Sequence, residues 1–569
     1  KTRRRTDRFS SRAMPSIVTF EGLDPDSEAL DLQNQELGKK GAQRLARALL
    51  EHQCLRELNL ACTNLGDAGC TFMAGALSRN SSLQSLNLRN NRIGDEGIES
   101  IAEGLMMSFK ERGTEMLTEL NVGHNCFGDH GLQVMAEVIG LGFLQLLDLS
   151  NLKMVTAEGW ETFCSSLNGC RLSTLKLRQN ALGEAALTLA LALKMDVGAL
   201  EELDLSLCSV GGKAASQLLQ LPLRQLQLLG TSNMDPQELG SALVGNTALE
   251  ILDLCNCHLG RAAAAELANV LRPRPASLQP LSLKALHLDR NQLGFEGAVV
   301  FSKALQGRPA PGCRLQVLTL RENGLGDGGV GAIAEALEHN MVLKELDLSS
   351  NEVGDLGAQS MGLLLKKEPR LAALSLKSNQ IGDEGAEALA QGMEQNSWLE
   401  ELDLSKNHIK MLGVSKLCAA LEHNGYLNNL VLEGNEVKMD IIESVEQLAA
   451  DVMLRRERQP PKIKALHVEE IQSPRENASE TEAASESSNS SASEEAREEE
   501  PAVIKQDKQD NDTMSLVDDF VQRFLSPHPE AARLDAGGNE DEMNPPATGS
   551  RRDDRGGRLV PRPGSAGAR

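Results

Sequence analysis

The chain has 569 residues, a formal net charge of −23 and an aromatic content of only 2%. Because a nucleic-acid-binding protein needs clusters of Lys and Arg to neutralise phosphates, this charge argues against nucleic acid as a partner. No apolar run approaches the roughly 18 residues of a membrane-spanning helix and no secretory signal opens the chain, so we also expect no membrane association.

The first residues form a basic extension. Residues 1–13 read KTRRRTDRFSSRA, with a single acid at Asp7. We predict that residues 1–24 form a disordered basic extension. The chain opens on Lys1 and its first methionine is Met14, so whether residues 1–13 belong to the native protein stays open.

A short pattern recurs from Ala29 onwards, mostly in steps of 28 residues. The first copies read LDLQNQELGKKG, LNLACTNLGDAG and LNLRNNRIGDEG. Self-similarity at a period of about 20 to 50 residues is typical of stacked repeats. We recognise fifteen units, and after the first they begin at Leu58, Leu86, Leu120, Leu147, Leu175, Leu203, Leu226, Leu252, Leu286, Leu318, Leu346, Leu374, Leu402 and Leu430.

One copy, residues 318–340, shows what each unit is expected to form. Leu318 and Leu320 alternate with polar residues, which predicts a short strand with one face in the core. Asn323 follows the strand, where its amide can satisfy backbone groups of its own turn and the next. A GDGG helix-start signal then precedes an apolar stripe at helical spacing. Each unit is therefore a strand, a turn and a helix that buries its apolar side only by stacking.

The spacing is irregular in several places. An insertion at residues 106–116 delays the unit at Leu120, and the unit at Leu226 follows its predecessor after only 23 residues. Two further insertions, residues 272–282 and 307–314, lie in adjacent units on the same edge. Such irregularities are either drift that a stack tolerates or a partner-binding rim, because insertions in repeats map to one face.

The composition changes sharply after residue 470. Leu466 begins a possible sixteenth strand that would cap the array, so we place the repeat solenoid, of fifteen or sixteen units, at residues 25–470. Residues 471–569 begin with a stretch rich in Ser and Glu and are predicted to be disordered, because they cannot bury enough apolar surface to offset the ordering entropy. Ser479 and Ser491 each have Glu three residues on, the pattern of a site for an acid-directed kinase.

Within this tail, residues 514–526 form an apolar island. Leu516, Phe520 and Phe524 recur at helical spacing. They predict a short helix that docks into a partner by folding on binding. An accidental apolar cluster is the alternative.

The pattern LxxLxLxxNxLGDxGxxxLAxAL with its 28-residue step resembles the ribonuclease-inhibitor type of leucine-rich repeat. This resemblance implies an α/β solenoid, a horseshoe with a concave parallel β-sheet and convex α-helices. The same repeat class is shared by ribonuclease inhibitors, NOD-like receptor sensor domains, the Ran GTPase-activating protein and several ciliary and cytoskeletal scaffolds. The fold that it implies therefore does not fix the function.

The concave sheet of such a horseshoe offers the residues beside its strand leucines to a partner. An acidic row and a more basic row are expected there, and together they would steer an oppositely patterned protein. The alternative is that LDLS is the default spelling of the repeat and that its Asp is merely solvated. The concave candidates are Asp204, Asp253, His287, Arg290, Arg321, Glu322, Asp347, Lys377 and Lys406. Within this set the cluster that departs from the default spelling is His287, Arg290, Arg321, Glu322 and Lys377.

Two aromatic residues occupy equivalent places in successive units. Trp398 and Tyr426 lie just ahead of the first strand leucine, in NSWLEEL and NGYLNNL. Trp and Tyr are enriched in binding hot spots, so these two side chains are candidates for a binding rim. Capping the end of the core is the alternative role.

Signals for catalysis are weak. Gly324, Gly326 and Gly329 spell GxGxxG, but they are the turn glycines of the repeat and no ribose-binding acid accompanies them. Cys255 and Cys257 form a CxC motif, yet Cys257 occupies the position where most units have Asn, which favours a structural thiol over a metal ligand. We expect no enzymatic activity, no cofactor and no metal.

These features predict a non-enzymatic, monomeric scaffold that binds a protein partner on the concave face or rim. Eleven cysteines without framework spacing suit a reducing compartment, so we expect a cytoplasmic protein, with cytoskeletal, ciliary or nuclear association left open. The tail would add regulation or a second contact. The alternatives are a GTPase-activating protein of the Ran type acting on a small GTPase, and a sensor or regulator related to NOD-like receptors or to ciliary and cytoskeletal repeat proteins.

Overall fold

The computed structural model describes residues 27–449, except residues 53, 114–116, 168, 196–199, 273–280, 307–313, 440, 444 and 448. Within this part of the chain fifteen strands form one parallel sheet, and the order of the strands in the sheet equals their order in the sequence. Each connection between neighbouring strands contains one helix, the arrangement that parallel strands require.

Each strand has three residues and begins one residue before the first leucine of the predicted pattern. The strands are β1 Ala29–Asp31, β2 Glu57–Asn59, β3 Ser85–Asn87, β4 Glu119–Asn121, β5 Leu146–Asp148, β6 Thr174–Lys176, β7 Glu202–Asp204, β8 Gln225–Gln227, β9 Ile251–Asp253, β10 Ala285–His287, β11 Val317–Thr319, β12 Glu345–Asp347, β13 Ala373–Ser375, β14 Glu401–Asp403 and β15 Asn429–Val431.

The helices alternate with the strands and form the second layer. They are α1 Gly38–Glu51, α2 Gly66–Leu77, α3 Asp95–Arg112, α4 Asp129–Gly140, α5 Ala157–Ser166, α6 Ala185–Met195, α7 Gly212–Leu218, α8 Pro236–Val244, α9 Gly260–Leu271, α10 Gly294–Leu305, α11 Gly326–Leu337, α12 Asp355–Lys366, α13 Asp383–Met393 and α14 Met411–His423.

The core lies between the two layers. The central leucine of each strand pairs with the central leucine of its neighbour, as Leu346 does with Leu374 and Leu374 with Leu402. Helix side chains such as Leu389 and Met393 are fully buried against this leucine ladder. Because neighbouring strands lie about 4.8 Å apart and packed helices about 8–10 Å apart, the stack curves with its strands inside. The predicted α/β horseshoe with a concave parallel sheet and convex helices is confirmed.

Buried asparagines tie each unit to the one before it. Asn379 Oδ1 accepts hydrogen bonds from the backbone N–H groups of Asn351 at 2.8 Å and Val353 at 3.1 Å. Its Nδ2 donates to the carbonyl oxygens of Leu348 and Leu376 at 3.1 and 2.9 Å. The sequence predicted an amide that serves its own turn and the next; the structure shows that it serves its own turn and the preceding one.

A recurring feature of the pattern, the Asp of GDxG, also acts between units. Asp355 belongs to the first turn of α12, yet its Oδ1 accepts from the backbone N–H groups of Gly382 and Gly385 at the start of α13, at 2.7 and 2.9 Å. These donors have no partner inside their own helix. A Cβ at Gly385 would lie 2.6 Å from Asp355 Oδ1, so glycine is required there. The predicted helix-start signal therefore stabilises the next helix in the chain.

The middle of the array satisfies its polar groups differently. At the Asn position Cys208 donates its Sγ hydrogen to the carbonyl oxygen of Leu177, at 2.9 Å. Helix α8 is capped locally, because Asp235 accepts from the backbone N–H groups of Gln237 and Glu238 at 2.9 and 3.0 Å. In the middle of the array a thiol thus takes the place of the asparagine amide in the bond to the preceding unit, and α8 is capped from within its own unit.

Some predicted features lie outside the described residues. The insertion at 106–116 lengthens α3 as far as Arg112, whereas most residues of the insertions at 272–282 and 307–314 are not described. The possible strand at Leu466 and the domain boundaries at residues 24 and 470 also lie outside this part of the chain. No helix in the described ranges has the length and apolar character needed to cross a membrane.

Candidate functional site

The strand face opposite the core is strongly acidic. The first and third residues of each strand project from this face, since side chains alternate along a strand. Of these thirty residues eleven are Asp or Glu and one, Lys176, is a lysine. The acids are Asp31, Glu57, Glu119, Asp148, Glu202, Asp204, Asp253, Glu345, Asp347, Glu401 and Asp403. The face therefore presents a negative surface to any partner.

A groove of about 360 Å³ crosses this face over strands β11 to β15. Four carboxylates line it, from Glu345 and Asp347 on β12 and from Glu401 and Asp403 on β14. The strand between them, β13, contributes only the small side chains of Ala373 and Ser375 to this side. The groove thus has acidic walls on alternate strands. We call it the acidic groove.

The predicted aspartate row has a structural role as well. Asp204, Asp253 and Asp347 each accept, through Oδ1, a hydrogen bond from the backbone N–H two residues further on, at 2.8 to 2.9 Å. Such Asx turns end the strand and start the turn. All three residues are only partly buried. The aspartates therefore stabilise the turn of each repeat while they stay partly exposed on the strand face.

The predicted cluster around His287 is divided between the strand and the loop that follows it. His287 lies on β10, where its Nδ1 is 3.3 Å from Thr319 Oγ1. Arg290 and Glu322 occupy left-handed loop positions, with φ of 60° and 55°. Arg290 donates to both carboxylate oxygens of Glu322, at 2.7 and 3.0 Å, and Arg321 also contacts Glu322 at 3.0 Å. These hydrogen bonds lower the pKa of the Glu322 carboxyl, with Arg290 the main cause.

The other two predicted cations lie near the acidic groove. Lys377 follows β13, and its Nζ is 3.9 Å from Asp403 Oδ2. Lys406 is exposed on the loop after β14, again with a left-handed φ of 56°. The structure therefore places the basic row along the loop edge of the sheet, next to the acidic strands and not among them.

The two aromatic residues predicted as a rim lie just before strands β14 and β15. Trp398 is 43% exposed and Tyr426 is partly buried. The guanidinium of Arg370, which occupies the equivalent position one unit earlier, lies 5.3 Å from the centre of the Trp398 ring. This distance is within the range of a cation–π interaction. The rim row therefore runs Arg370, Trp398, Tyr426 across three successive units.

The buried thiols of the core are protonated and therefore poor nucleophiles. Burial raises the pKa of Cys70, Cys164 and Cys257 to about 12, so these thiols stay protonated at neutral pH. Cys257 donates its Sγ hydrogen to the carbonyl oxygen of Leu228 at 3.3 Å, which fits the structural role predicted for it. Among the described residues no group of three or more His, Cys, Asp or Glu side chains is arranged to hold a metal ion.

Sequence reasoning missed the glutamates of the face. Glu345 and Glu401 are exposed at the first position of β12 and β14, whereas the predicted rows started at the third position. The alternation of strand side chains was the signal that would have found them. The predicted tail sites Ser479, Ser491, Leu516, Phe520 and Phe524 lie outside the described residues.

Comparison with known proteins agrees with this repeat architecture. A family model described as a leucine-rich repeat matches residues 51–74, 79–102, 115–136, 313–334, 339–362, 371–390 and 395–418. These matched segments lie on either side of residues 137–312, which include the irregular middle units.

Two curated proteins share sequence with parts of the array. The chain is 31% identical over 206 residues to the NACHT, LRR and PYD domains-containing protein 12 of Mus musculus, which is 35% of this chain and 16% of that protein. It is 31% identical over 186 residues to the ribonuclease inhibitor of Sus scrofa, which is 31% of this chain and 39% of that protein. The chain thus spans less than half the length of these relatives.

A solved structure of the Rad7 and Elc1 complex from yeast overlaps 66% of this chain and 85% of the matched one, with 17% identity and a TM-score of 0.40. A similarity of this size supports no inference about function.

Proposed function

The chain carries leucine-rich repeats of the ribonuclease-inhibitor type, and from this premise we propose that it is a non-enzymatic scaffold that binds a protein partner on the strand face of the array. The observation that carries the proposal is the continuous sheet of fifteen strands, whose outer side chains are mostly polar and charged. A surface of this kind recognises a partner through many complementary contacts and needs no reacting group.

The chemistry of the face supports binding over catalysis. The aspartates of the LDLS segments already hold turn N–H groups, and the exposed acids of the face repeat at the same strand positions along the sheet. Catalytic sites instead concentrate residues with strongly perturbed pKa values in one cleft. The repeated, evenly spaced charges favour an extended contact surface.

Photo-crosslinking tests the proposed surface. We would place benzoylphenylalanine at Asn429, an exposed residue of the strand face, and in a second variant at Leu363, an exposed residue on the helix side. Full-length protein carrying each variant is irradiated in cells, and the crosslinked proteins are identified by mass spectrometry. We expect a defined protein adduct from Asn429 and none shared with Leu363. Adducts confined to Leu363 would contradict the proposal.

GTPase activation is the alternative function, and it has a direct assay. Purified full-length protein is mixed with a panel of GTP-loaded small GTPases and the release of phosphate is measured. The scaffold proposal expects hydrolysis at the intrinsic rate throughout the panel. An increase in the rate of GTP hydrolysis by orders of magnitude for any GTPase, as activators achieve, would contradict the scaffold proposal and support GTPase activation.

The acidic tail is proposed as a second contact or a regulatory arm. Deletion of residues 471–569 is expected to weaken binding to the crosslinked partner, since a tethered second contact raises overall affinity. Affinity is measured by titration of the purified partner against the full and shortened chains. An unchanged affinity would remove the tail from the binding mechanism.

A further inference from the structure

We infer that the acidic groove over strands β11 to β15 takes an extended Lys- or Arg-rich segment of the partner. The inference rests on the proposed function, because it names the part of the strand face and the chemistry of its occupant. It goes further in selecting one region of a long sheet whose other strands carry fewer paired charges.

The first argument is the spacing of the carboxylates. Glu345 and Asp347 are two residues apart on β12, as are Glu401 and Asp403 on β14. Side chains two residues apart on a strand are separated by about 7 Å, and two strands with one between them by about 9.6 Å. The second distance is too long for one metal ion to join both strands, since metal–oxygen bonds measure about 2 to 2.6 Å. An extended peptide matches this lattice, because its own alternate side chains are also about 7 Å apart.

The shape of the groove fits an extended chain. Between the acidic walls, β13 presents Ala373 and Ser375, so a peptide backbone has room to lie over that strand. Long cationic side chains on either side of the backbone then reach the walls. The stems of Lys and Arg also cover apolar surface such as Val317 and Val431 at the two ends of the groove.

The charges of the groove are only partly compensated. Among the described residues, the ion pair that involves these four carboxylates joins Lys377 Nζ to Asp403 Oδ2, at 3.9 Å. Glu345 and Glu401 are exposed, and both reach into the groove. Cations at this site therefore relieve the repulsion between the carboxylates. An acidic partner segment would increase that repulsion, and a purely apolar segment would remove water from the carboxylates without replacing its hydrogen bonds.

Serine hydroxyls lie next to two of the groove aspartates. Ser349 follows Asp347, and its Oγ contacts the Asp347 carboxylate and lies 2.8 Å from Ser375 Oγ, both in residues that line the groove. Ser405 follows Asp403 in the same way and is 2% exposed, but within the described part of the chain its Oγ has no hydrogen-bond partner.

The rim next to the groove also tolerates cations. Trp398 lies three residues before Glu401 in the same unit, and the Arg370 guanidinium already lies over its ring. Aromatic rings attract guanidinium and ammonium groups through their faces. A basic segment that leaves the groove at this side therefore meets a surface suited to it.

The test uses a fluorescein-labelled peptide of alternating Lys and Ser, with a Glu and Ser peptide as the opposite-charge probe. Binding to the full chain is followed by fluorescence anisotropy. We expect the Lys peptide to bind and the Glu peptide not to bind, with an affinity that falls as salt is added. In the double variant Glu345→Gln and Glu401→Gln, affinity for the Lys peptide should fall roughly tenfold.

A matched control separates the groove from the general field of the sheet. Glu57→Gln with Glu119→Gln removes the same two charges at the same strand position, on β2 and β4, and is expected to change affinity less than about twofold. Circular dichroism confirms that both double variants are folded. Equal weakening by the two pairs, or no binding of the Lys peptide to the wild type, would overturn the inference.

Competition distinguishes the inference from the proposed function. The Lys peptide should reduce the crosslink formed from Asn429 to the native partner. A crosslink that persists at saturating peptide would leave the scaffold proposal standing and refute the acidic groove as the contact. If position 429 forms no protein crosslink even when no peptide is added, the scaffold proposal itself is refuted.

Discussion

Two regions of the array hold the same fold together in different ways. The regular block, β11 to β15 with α11 to α14, buries an asparagine amide in each of its first four units, and the aspartates of α11 to α13 cap the next helix. The middle block, β6 to β9 with α6 to α9, has Cys208, Thr231 and Cys257 at the asparagine position after its first unit. Helix α8 carries its own cap at Asp235.

The difference lies in the polar groups and not in the apolar core. Strand leucines are fully buried in both blocks, for example Leu203 in the middle and Leu374 in the regular block. Among the described residues, buried hydroxyls without a hydrogen-bond partner are Ser206 Oγ and Thr231 Oγ1 in the middle block and Ser405 Oγ in the regular block. Leucines make the units stack, and hydrogen bonds between units make a stack behave as one body. The acidic groove lies on the block in which buried asparagines and helix-capping aspartates make such bonds in successive units.

The largest expected effect comes from the asparagine position. Asn379→Leu would leave two backbone N–H groups and two carbonyl oxygens in the core without their amide partner, and we expect a loss of stability of at least about 3 kcal/mol. Cys208→Ala at the equivalent place in the middle block removes one sulfur hydrogen bond and a small volume, with an expected loss of about 1 kcal/mol. Urea unfolding followed by circular dichroism compares the two.

The proposed difference between the two blocks is contradicted if Asn379→Leu and Cys208→Ala unfold at the same urea concentration. Because long repeat arrays depart from two-state unfolding, tryptophan fluorescence is recorded alongside circular dichroism. Trp398 reports on the regular block, and Trp160, which is buried in α5, reports on the units before the middle block.

The aspartate caps come next in size. Asp355→Ala is expected to cost about 1 to 2 kcal/mol, because it removes two hydrogen bonds at the start of α13. Asp235→Ala is the matched variant in the middle block, and its effect of about 1 kcal/mol should stay within α8. Hydrogen exchange resolves the difference: Asp355→Ala should speed exchange in the following unit. Acceleration confined to the mutated unit would contradict a cap that acts between units.

The smallest effect concerns a carboxyl group at the entrance to the regular block. Burial raises the pKa of Asp289, although its Oδ1 accepts the Arg321 N–H at 2.9 Å. A raised pKa in the fold means that ionisation opposes folding, so the wild type loses stability as the pH rises through that pKa. Asp289→Asn keeps an acceptor oxygen, and its stability relative to the wild type should rise with pH. Melting temperatures from pH 4 to 8 test the sign, and a relative stability that falls with pH would contradict it.

Much of the fold could be predicted from the sequence because regularly spaced leucines define the repeat. A 28-residue step of LxL segments placed the central residue of every strand, including the short unit at Leu226. The helices followed from their apolar stripes. Parallel register then required only that identical units stack in order.

The polar contacts between units were less accessible. Asp355 reads as the start of its own helix, and only the three-dimensional stack shows that Gly382 and Gly385 of the next unit come within reach. The same limit applies to the acidic groove, because it depends on residues 28 or 56 positions apart being neighbours across the sheet. Spacing along the chain predicts which face a residue occupies, but not which side chains compensate its charge.

Hydrogen exchange of the wild-type full-length chain, followed by mass spectrometry with increasing urea, tests the distinction between the two blocks most directly. Bonds between units should make α12, α13 and α14 exchange together and slowly, while α7 and α8 exchange earlier and at lower urea. That order is the expected result. Equal protection of both blocks, or earlier exchange of α13 than of α7, would contradict the claim that polar bonds between units hold the groove-bearing block as one body.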